Sequence, residues 1–580
     1  MSTAQRRFAA RTFTTGLAVS GAGWLSASLA DTAVWPAGVM TGGLLLSAGC
    51  VYARLRPARG SNAHIRRWDR KTSRNQGTAS WWDLVSTSGK TAMRRRAAIL
   101  RPSLAGLPWW QRWRAPVSSY AVPLCTVGRR TVWTTCEEST LRIGIPGTGK
   151  TAELACRVID APGGVVVTST AADLYQLTAL LRARRGPVRV FNPSGIGNIP
   201  STLCWSPLSG CHDPVVAARR ATDLMGPASD SAEGERWAVQ GRRVLAVLLH
   251  AAALGGYRLA DVHAWVSNPD SAKPVILQAL QTSPRAAEMI RAAQQAIAVT
   301  PRTRDGVMMT IVPALAWVTQ PTAAACGDPD PDESLFAVPE LTDHHAALYL
   351  LGDDDGVVAP LVGALTAEIA CQARALAALR PGGRLDPGLT LALDEIALVC
   401  PTPLDRWMAE LRKRSIVIHA ACQGMGQLRQ RWGTHGASMI LNAAPVVLLF
   451  GGCKDPDDLA LFATLIGERP ELAHTWNTEG QITSSTTRMV PVITAPMLAS
   501  LPNHHALLVR RGMPVALATT PIAWRRRDVR RAGKPQPRRV PATVRSTNTP
   551  RRAITAAPVP SVVAAAPSVP HARAKAQAKL

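Results

Sequence analysis

The sequence predicts an α/β fold built around a parallel sheet, and three features of the chain support this prediction. Residues 144–151 have the G-x-x-x-x-G-K-[ST] spacing of a phosphate-binding loop, between a predicted strand and a predicted helix. Apolar strand patterns alternate with helical patterns from about residue 165, as in βαβ units. An apolar strand at 389–396 contains an Asp–Glu pair near its end. With 580 residues, the chain is long enough for two to four domains.

Two apolar stretches near the N-terminus, at about 12–30 and 33–53, are each long enough to span a bilayer. Arginines precede and follow the pair, so the positive-inside rule places both flanks in the cytoplasm. Alternatively, the first stretch is a signal peptide that is cleaved after Ala30. Because a phosphate-binding loop needs cytoplasmic nucleotide, the sequence favours two transmembrane helices within 1–55. We therefore expect a multi-pass protein of the cytoplasmic (inner) membrane, with the bulk of the chain in the cytoplasm.

The segment 56–116 is basic and carries tryptophans at 81, 82, 109, 110 and 113. Tryptophan beside arginine is typical of the headgroup layer of a membrane. The same tryptophans would also suit the core of a small subdomain next to the membrane, and the sequence leaves both interpretations open. Residues 117–143 are predicted to form short strands that lead into the phosphate-binding loop.

The glycines of the loop allow its backbone to turn tightly, so that successive N–H groups converge on phosphate oxygens at the start of a helix. Lys150 is expected to reach the β- and γ-phosphates, and the Thr151 hydroxyl to bind Mg²⁺. The motif thus predicts that the chain binds ATP or GTP. The predicted nucleotide-binding residues are Gly144, Ile145, Pro146, Gly147, Thr148, Gly149, Lys150 and Thr151.

A long helical pattern interrupts the alternation of strands and helices between residues 213 and 298. We interpret this segment as an inserted all-α domain. The nucleotide-binding domain is then predicted in two parts, 117–212 and 299–524.

The strand at 389–396 is predicted to deliver carboxylates to the edge of the sheet where Mg²⁺ would bind. Asp394 would hold the Mg²⁺ shell, and Glu395 would orient and activate the attacking water. An apolar strand that ends in Asp–Glu is a weak signal alone, but it is much stronger behind a phosphate-binding loop.

Two more polar positions follow in the next predicted helix and strand. Gln423 leaves a strand predicted at 416–421 on the same edge as Asp394, so its amide is expected to contact the γ-phosphate. Arg412 lies near the end of a helix predicted at 404–414. Such an arginine either complements the C-terminus of its helix or acts as an arginine finger in the site of a neighbouring subunit.

The formal net charge of +27 indicates a polyanionic partner, either nucleic acid or an anionic membrane. Part of this charge lies in 525–580, a segment rich in Arg, Pro, Ala and Thr that is predicted to be disordered. The tail would either keep the protein soluble or contact DNA or lipid headgroups without sequence preference.

The eleven cysteines are scattered without a C-x-x-C pair, so we expect neither disulfides nor a structural metal. Adjacent histidines at 344–345 and 504–505 each precede a predicted strand, and we interpret them as structural.

Three segments carry a resemblance to a known family. They are GIPGTGKT at 144–151, LTLALDEI at 389–396 and RKRSIVIHAACQGMGQL at 412–428, with the helical insertion between the first two. Together they resemble the TraG/TraD-like conjugative coupling proteins of type IV secretion, in the FtsK/HerA superfamily of P-loop ATPases. FNPSG at 191–195 and WSPLSGC at 205–211 resemble actinobacterial members. The resemblance covers roughly residues 120–525.

This resemblance implies a RecA-like ATPase that uses ATP and Mg²⁺, forms a homohexameric ring, and moves DNA with an attached relaxase toward secretion-channel proteins. By position, Lys150 and Thr151 match the Walker A pair, and Asp394 and Glu395 match the Walker B pair. Gln423 matches the sensor glutamine, and Arg412 matches the arginine finger. The loop between the predicted membrane helices is shorter than in well-known members, a departure from the family pattern that bears on docking onto a standard channel. A protein-secretion motor and an FtsK-like DNA pump are the alternatives.

Overall fold

The computed structural model describes residues 77–532 except 228–231, 299, 330–336 and 477–481. The two predicted membrane helices and the tail beyond 532 lie outside the described residues. The strands of the described part are β1 (Ala121–Val127), β2 (Arg130–Thr135), β3 (Thr140–Ile143), β4 (Val165–Ser169), β5 (Val188–Phe191), β6 (Ala347–Leu351), β7 (Leu389–Leu393), β8 (Ile416–Cys422), β9 (Val446–Phe450), β10 (Glu468–Trp476), β11 (Ile482–Pro491), β12 (His505–Arg510) and β13 (Ala516–Thr519).

Helices cover both faces of the sheet and form most of the segment between β5 and β6. In the described part they are α1 (Trp81–Ser88), α2 (Lys90–Leu100), α3 (Pro102–Ala105), α4 (Trp109–Arg114), α5 (Lys150–Asp160), α6 (Asp173–Arg182), α7 (Pro214–Met225), α8 (Ala232–Gly255), α9 (Leu259–Ser267), α10 (Pro269–Leu280), α11 (Ala286–Ala298), α12 (Pro301–Leu315), α13 (Pro321–Gly327), α14 (Pro339–Asp343), α15 (Ala359–Ala378), α16 (Ile396–Val399), α17 (Leu404–Glu410), α18 (Met425–Ala443), α19 (Pro456–Ile466), α20 (Ala495–Ala499) and α21 (Arg527–Ala532).

The central sheet has 11 strands in the order β2-β1-β13-β12-β9-β3-β8-β7-β4-β6-β5. The run from β9 to β5 is parallel, and β12, β13, β1 and β2 extend it as antiparallel strands. Strands β4, β6, β7, β8 and β9 are buried along their whole length, because helices pack on both faces. The predicted α/β class is confirmed, whereas the sequence did not indicate that the strands before the loop join the far antiparallel side.

The helical region between β5 and β6 packs around α8, which contacts α7, α9, α10, α11 and α12. Its helices continue past the predicted end at 298, through α12 and α13 to Gly327. The continuation follows from burial, since Ile311 and Leu315 of α12 and Trp317 after it are fully buried. The segment 300–327, part of the range 299–524 that the sequence analysis assigned to the nucleotide-binding domain, therefore belongs structurally to the helices.

A second sheet consists of β10 and β11, a long antiparallel hairpin that the sequence analysis did not predict. Its described side chains are mostly exposed, for example Met489. Because neither face of this hairpin is covered by a core, its strands lack the apolar alternation that marks a half-buried strand.

The tryptophans of α1 and α4 are on the surface, which excludes the interpretation that they form a core. Their exposed fractions range from 43% for Trp113 to 72% for Trp109. The small core of this region is made instead by other residues, among them Met93, Leu100 and Tyr120. Guanidinium groups lie over the rings, with Arg130 at 5.1 Å from the Trp81 centroid and Arg114 at 5.5 Å from that of Trp110.

One described helix, α15, is long and apolar enough by composition to cross a membrane, and 67% of its most apolar window is buried inside the protein. A bent pair, Pro301–Thr319 with Pro321–Gly327, passes the same test together. Both belong to the main hydrophobic core, which accounts for their composition.

The predicted disordered tail begins too early at 525. Arg526 pairs through both terminal nitrogens with Asp160 of α5, at 2.7 and 2.8 Å, and also with Asp528. Ala523 is fully buried, and α21 packs on α6. The basic composition of 525–532 suggested disorder, but the ion pair between Arg526 and Asp160 attaches this segment to the loop helix.

Candidate nucleotide-binding site

Three neighbouring parallel strands bring the predicted site residues to one edge of the sheet. Ile143 of β3 pairs with Cys422 of β8, and Leu393 of β7 pairs with Ala420 of β8. The chain therefore leaves all three strands at their carboxyl ends on the same side. Ligands of open α/β sheets bind in crevices at this edge.

The backbone of the loop turns on its glycines. Gly147 and Gly149 have positive φ angles of 81° and 109°, which favour glycine, and α5 begins directly afterwards at Lys150. A Cβ atom at Gly144 would collide with Phe450 of β9. The predicted strand–loop–helix arrangement is present, with the first N–H groups of α5 at the loop.

Lys150 is 4% exposed, and its ammonium group is held inside the loop. Its Nζ donates to the carbonyl oxygens of Gly144 and of Ile145, the latter at 3.2 Å. The Oε1 atom of Glu395 lies 4.0 Å away. An ammonium group in this position can bind phosphate oxygens of a nucleotide in the loop.

Thr151 and Asp394 are 243 positions apart in the chain, and the Thr151 hydroxyl donates to Oδ2 of Asp394 at 3.0 Å. The other oxygen, Oδ1, is buried without a hydrogen-bond partner among the described residues. Burial first, and then the nearby charge of Glu395, raise the pKa of Asp394 to about 6. A buried acceptor that lacks a partner, beside a hydroxyl, fits the oxygen-ligand preference of Mg²⁺.

Glu395 and Gln423 contact each other next to this pair. The Gln423 amide Nε2 donates to Oε2 of Glu395 at 3.3 Å. Glu395 adopts a left-handed backbone conformation with φ 43°, which is unfavourable for a residue with a side chain. Such conformations persist where the surrounding structure imposes them, and they concentrate at functional sites.

Residues 388–503 match the family described as the TraM recognition site of TraD and TraG. The matched segment runs from the residue before β7 to the loop before β12, and it includes Asp394, Glu395 and Gln423. The resemblance to the conjugative coupling proteins is confirmed.

The comparison with solved structures includes one that agrees with this result at the level of the fold. The bacterial conjugative coupling protein TrwBdeltaN70, in its unbound monoclinic form, is 18% identical with a TM-score of 0.51, over 69% of this chain and 88% of that chain. TrwB in complex with ADP and Mg²⁺ is 17% identical with a TM-score of 0.48, over 69% and 89%. Among the curated proteins compared by sequence, none matches the chain. The described part of the chain shares the fold of the coupling protein TrwB.

Arg412, which the resemblance predicts to be an arginine finger, lies far from the other site residues. It is exposed, in a short 3₁₀ segment (Leu411–Arg414) that precedes β8. Gln423 follows the opposite end of this strand, whose seven residues span roughly 20 Å. The structure therefore does not bring Arg412 to the loop of its own chain.

A buried group of charged residues, which the sequence analysis missed, fixes the loop helix of this coupling-protein fold on the sheet. Glu153 of α5 forms ion pairs with Arg142 of β3 and with Arg157, the latter at 2.8 Å, and all three side chains are fully buried. Thr140 accepts from Arg142 and also bonds Nδ1 of His419 at 2.8 Å. The polar Thr140 and Arg142, which alternate with apolar residues in β3, were the available signal.

His504 is a second residue whose position the sequence did not predict. Its backbone N–H donates to the Thr148 carbonyl of the loop at 2.9 Å. A Cβ atom at Gly149 would collide with Nδ1 of the His504 ring. The histidine therefore belongs to the wall of the phosphate-binding loop, although it was interpreted as a residue that only precedes a strand.

Proposed function

We propose that this chain is a membrane-anchored, hexameric ATPase that couples ATP hydrolysis to the transfer of DNA in conjugation. The observation that carries the proposal is the convergence of Lys150, Thr151, Asp394, Glu395 and Gln423 at the carboxyl edge of one sheet. These side chains come from three separate strand ends. They supply a phosphate-contacting cation, oxygen ligands for Mg²⁺, and a carboxylate that can act as a base.

Each side chain has a distinct task in this proposal. Thr151 and Asp394 hold Mg²⁺, which neutralises charge on the phosphate oxygens when it is bound. Gln423 donates to Oε2 of Glu395 and so leaves Oε1, the atom nearer Lys150, free to accept a proton from the attacking water. Lys150 contacts the phosphates from its position inside the loop.

The membrane side of the proposal is supported by the exposed tryptophans and arginines of α1, α2 and α4. Indole rings beside guanidinium groups suit the headgroup layer. In the sequence, α1 begins at residue 81, after the two apolar stretches at 12–53 and a basic segment. We propose that α1 to α4 lie against the cytoplasmic face of the membrane in which those stretches are embedded.

The proposed partners follow from the charge and from the family match. The net charge of +27 suits a DNA backbone, which would be contacted without sequence preference. The matched family is described as a TraM recognition site, which supports docking of a TraM-like protein within 388–503. A relaxase and secretion-channel proteins are the further expected partners.

ATP hydrolysis by the purified full chain, with and without DNA, tests the proposal. Glu395→Gln should bind ATP but hydrolyse it on the order of 10²-fold more slowly, because the base is lost. Lys150→Ala should lose binding and turnover together, because a phosphate contact is lost. Glu288→Gln, at a 60% exposed position of the helical region, is the matched control and should hydrolyse normally.

Normal turnover by Glu395→Gln would contradict the assignment of the base. Hydrolysis that responds to protein cargo and not to DNA would favour a protein-secretion motor instead.

A further inference from the structure

The last described segment of the chain packs along the loop helix α5. Ala523 is buried in one cluster with Leu154 and Val158 of α5, and Arg526 is anchored on Asp160 at the end of that helix. Trp524 lies between these two attachments, so the surrounding contacts fix its backbone. Its side chain nevertheless remains 49% exposed.

His504 connects this segment to the phosphate-binding loop. Its N–H donates to Thr148, and its carbonyl oxygen accepts from the N–H and the hydroxyl of Thr520, at 2.8 and 3.1 Å. These bonds hold His504 at a φ of 62°, a left-handed conformation that is unfavourable for histidine. The imposed conformation presses the ring against Gly149, where no other residue type would fit.

The rings of His504 and Trp524 pack edge to face, with centroids 5.8 Å apart and planes inclined by 74°. Burial of the ring, and then the charge of Arg525, lower the pKa of His504, which favours the neutral imidazole. The His504 ring of this pair contacts Gly149 of the loop, and the Trp524 indole on its other side is exposed. An indole of this kind is neither part of the core nor part of the membrane-side group on α1 and α4.

We propose that Trp524 stacks on the base of the bound nucleoside triphosphate and that His504 is the positioning residue that holds the indole beside the loop. The proposal rests on the proposed function, since it needs a triphosphate in the loop. The base is tethered to the phosphates through one sugar, so it must lie a short distance from the loop. An exposed aromatic face in this position would stabilise any base, because every base has a π face.

The contribution of the base can be separated from that of the phosphates by comparing ATP with inorganic tripolyphosphate, each with Mg²⁺. Trp524→Ala in the full chain should weaken ATP binding roughly 5- to 100-fold, the usual range for loss of a stacked aromatic ring. Tripolyphosphate binding should not change, because the loop is intact. Trp524→Phe should keep most of the ATP affinity, and Trp109→Ala, at an exposed tryptophan of α4, should bind like the parent.

Fluorescence gives a second readout that does not depend on hydrolysis. ATP should quench the tryptophan emission of the parent and of Trp109→Ala, but not that of Trp524→Phe, whereas tripolyphosphate should quench none of them. Unchanged ATP affinity in Trp524→Ala would overturn the proposal. An equal loss of both ligands would also overturn it, since the residue would then support the loop and not the base. A parent chain that binds neither ligand would refute the proposed function itself.

Discussion

Asp394 is a buried carboxyl group, and its cost to stability should depend on pH. Its pKa in the folded protein is about 6, above the value of about 3.9 for an unfolded chain. The folded state therefore holds this proton more tightly. The protonated Asp394 carboxyl therefore stabilises the folded state relative to the unfolded one. This contribution is complete below about pH 4 and is lost as the pH rises through 6.

Asp394→Asn should therefore raise the melting temperature of the protein in EDTA and without nucleotide. The gain should be larger at pH 8 than at pH 5, and it should approach about 3 kcal/mol in unfolding free energy. Differential scanning calorimetry of both proteins at the two pH values measures this. An equal difference at both values would mean that the Asp394 carboxyl does not titrate in this window.

At the scale of elements, the loop helix α5 is attached to β3 by charges and not only by apolar packing. Glu153 is the shared partner of Arg142 and Arg157, and water reaches none of the three. Removing the shared carboxylate leaves two buried guanidinium groups without their counter-charge. The cost of an uncompensated buried charge greatly exceeds that of an exposed one.

Glu153→Ala should accordingly destabilise the protein by about 3–5 kcal/mol. Glu410→Ala is the matched control, because Glu410 is 58% exposed and pairs with Arg374 at 3.5 Å. An exposed pair of this kind contributes about 0–1 kcal/mol. Thermal unfolding compares the two variants. Equal melting temperatures would show that the buried group does not hold α5 in place.

At the scale of the whole molecule, the position of Arg412 bears on assembly. Arg412 precedes β8, whereas the loop lies beyond the other end of that strand. An arginine finger at this position would have to act on a neighbouring subunit, where such groups increase the rate by about 10³–10⁵.

Mixing Arg412→Ala subunits with Lys150→Ala subunits should therefore restore activity that neither variant has alone. The first variant keeps an intact loop and the second keeps an intact finger. Lys413→Ala, at the exposed neighbouring position, should be active without mixing. ATPase assays of the mixed and separate samples measure this. If mixing restored nothing while both variants assembled, Arg412 would only complement its own helix.

The basic tail should add to DNA binding of the whole protein. Deletion of 534–580 keeps the anchored segment at Arg526 and removes the rest. DNA affinity should fall, and the slope of log affinity against log salt should flatten by roughly 0.7–0.9 for each lost phosphate contact. A full-length variant with glutamine at the tail's basic positions controls for length. An unchanged slope would mean that the tail serves solubility.

The sequence by itself determined the phosphate-binding loop, the strand that carries Asp394 and Glu395, and the α/β class. These features depend on the spacing of nearby residues and on apolar periodicity, and both can be read directly from the sequence. The resemblance to coupling proteins followed from the same local motifs. The predicted domain boundaries were less accurate. The helical region extends beyond 298 because α12 is buried, and the ordered part extends beyond 525 because Arg526 forms an ion pair.

Only the tertiary structure decided which distant residues meet. The order of the strands brings Thr151 within 3.0 Å of Asp394, across 243 positions, and the length of β8 separates Arg412 from the same site. The tertiary structure also placed His504 against the loop with Trp524 packed on its ring, and the tryptophans of α1 and α4 on the surface. Such contacts depend on strand order and on packing between segments that are remote in the sequence. The fold that buries most apolar surface over the whole chain determines both.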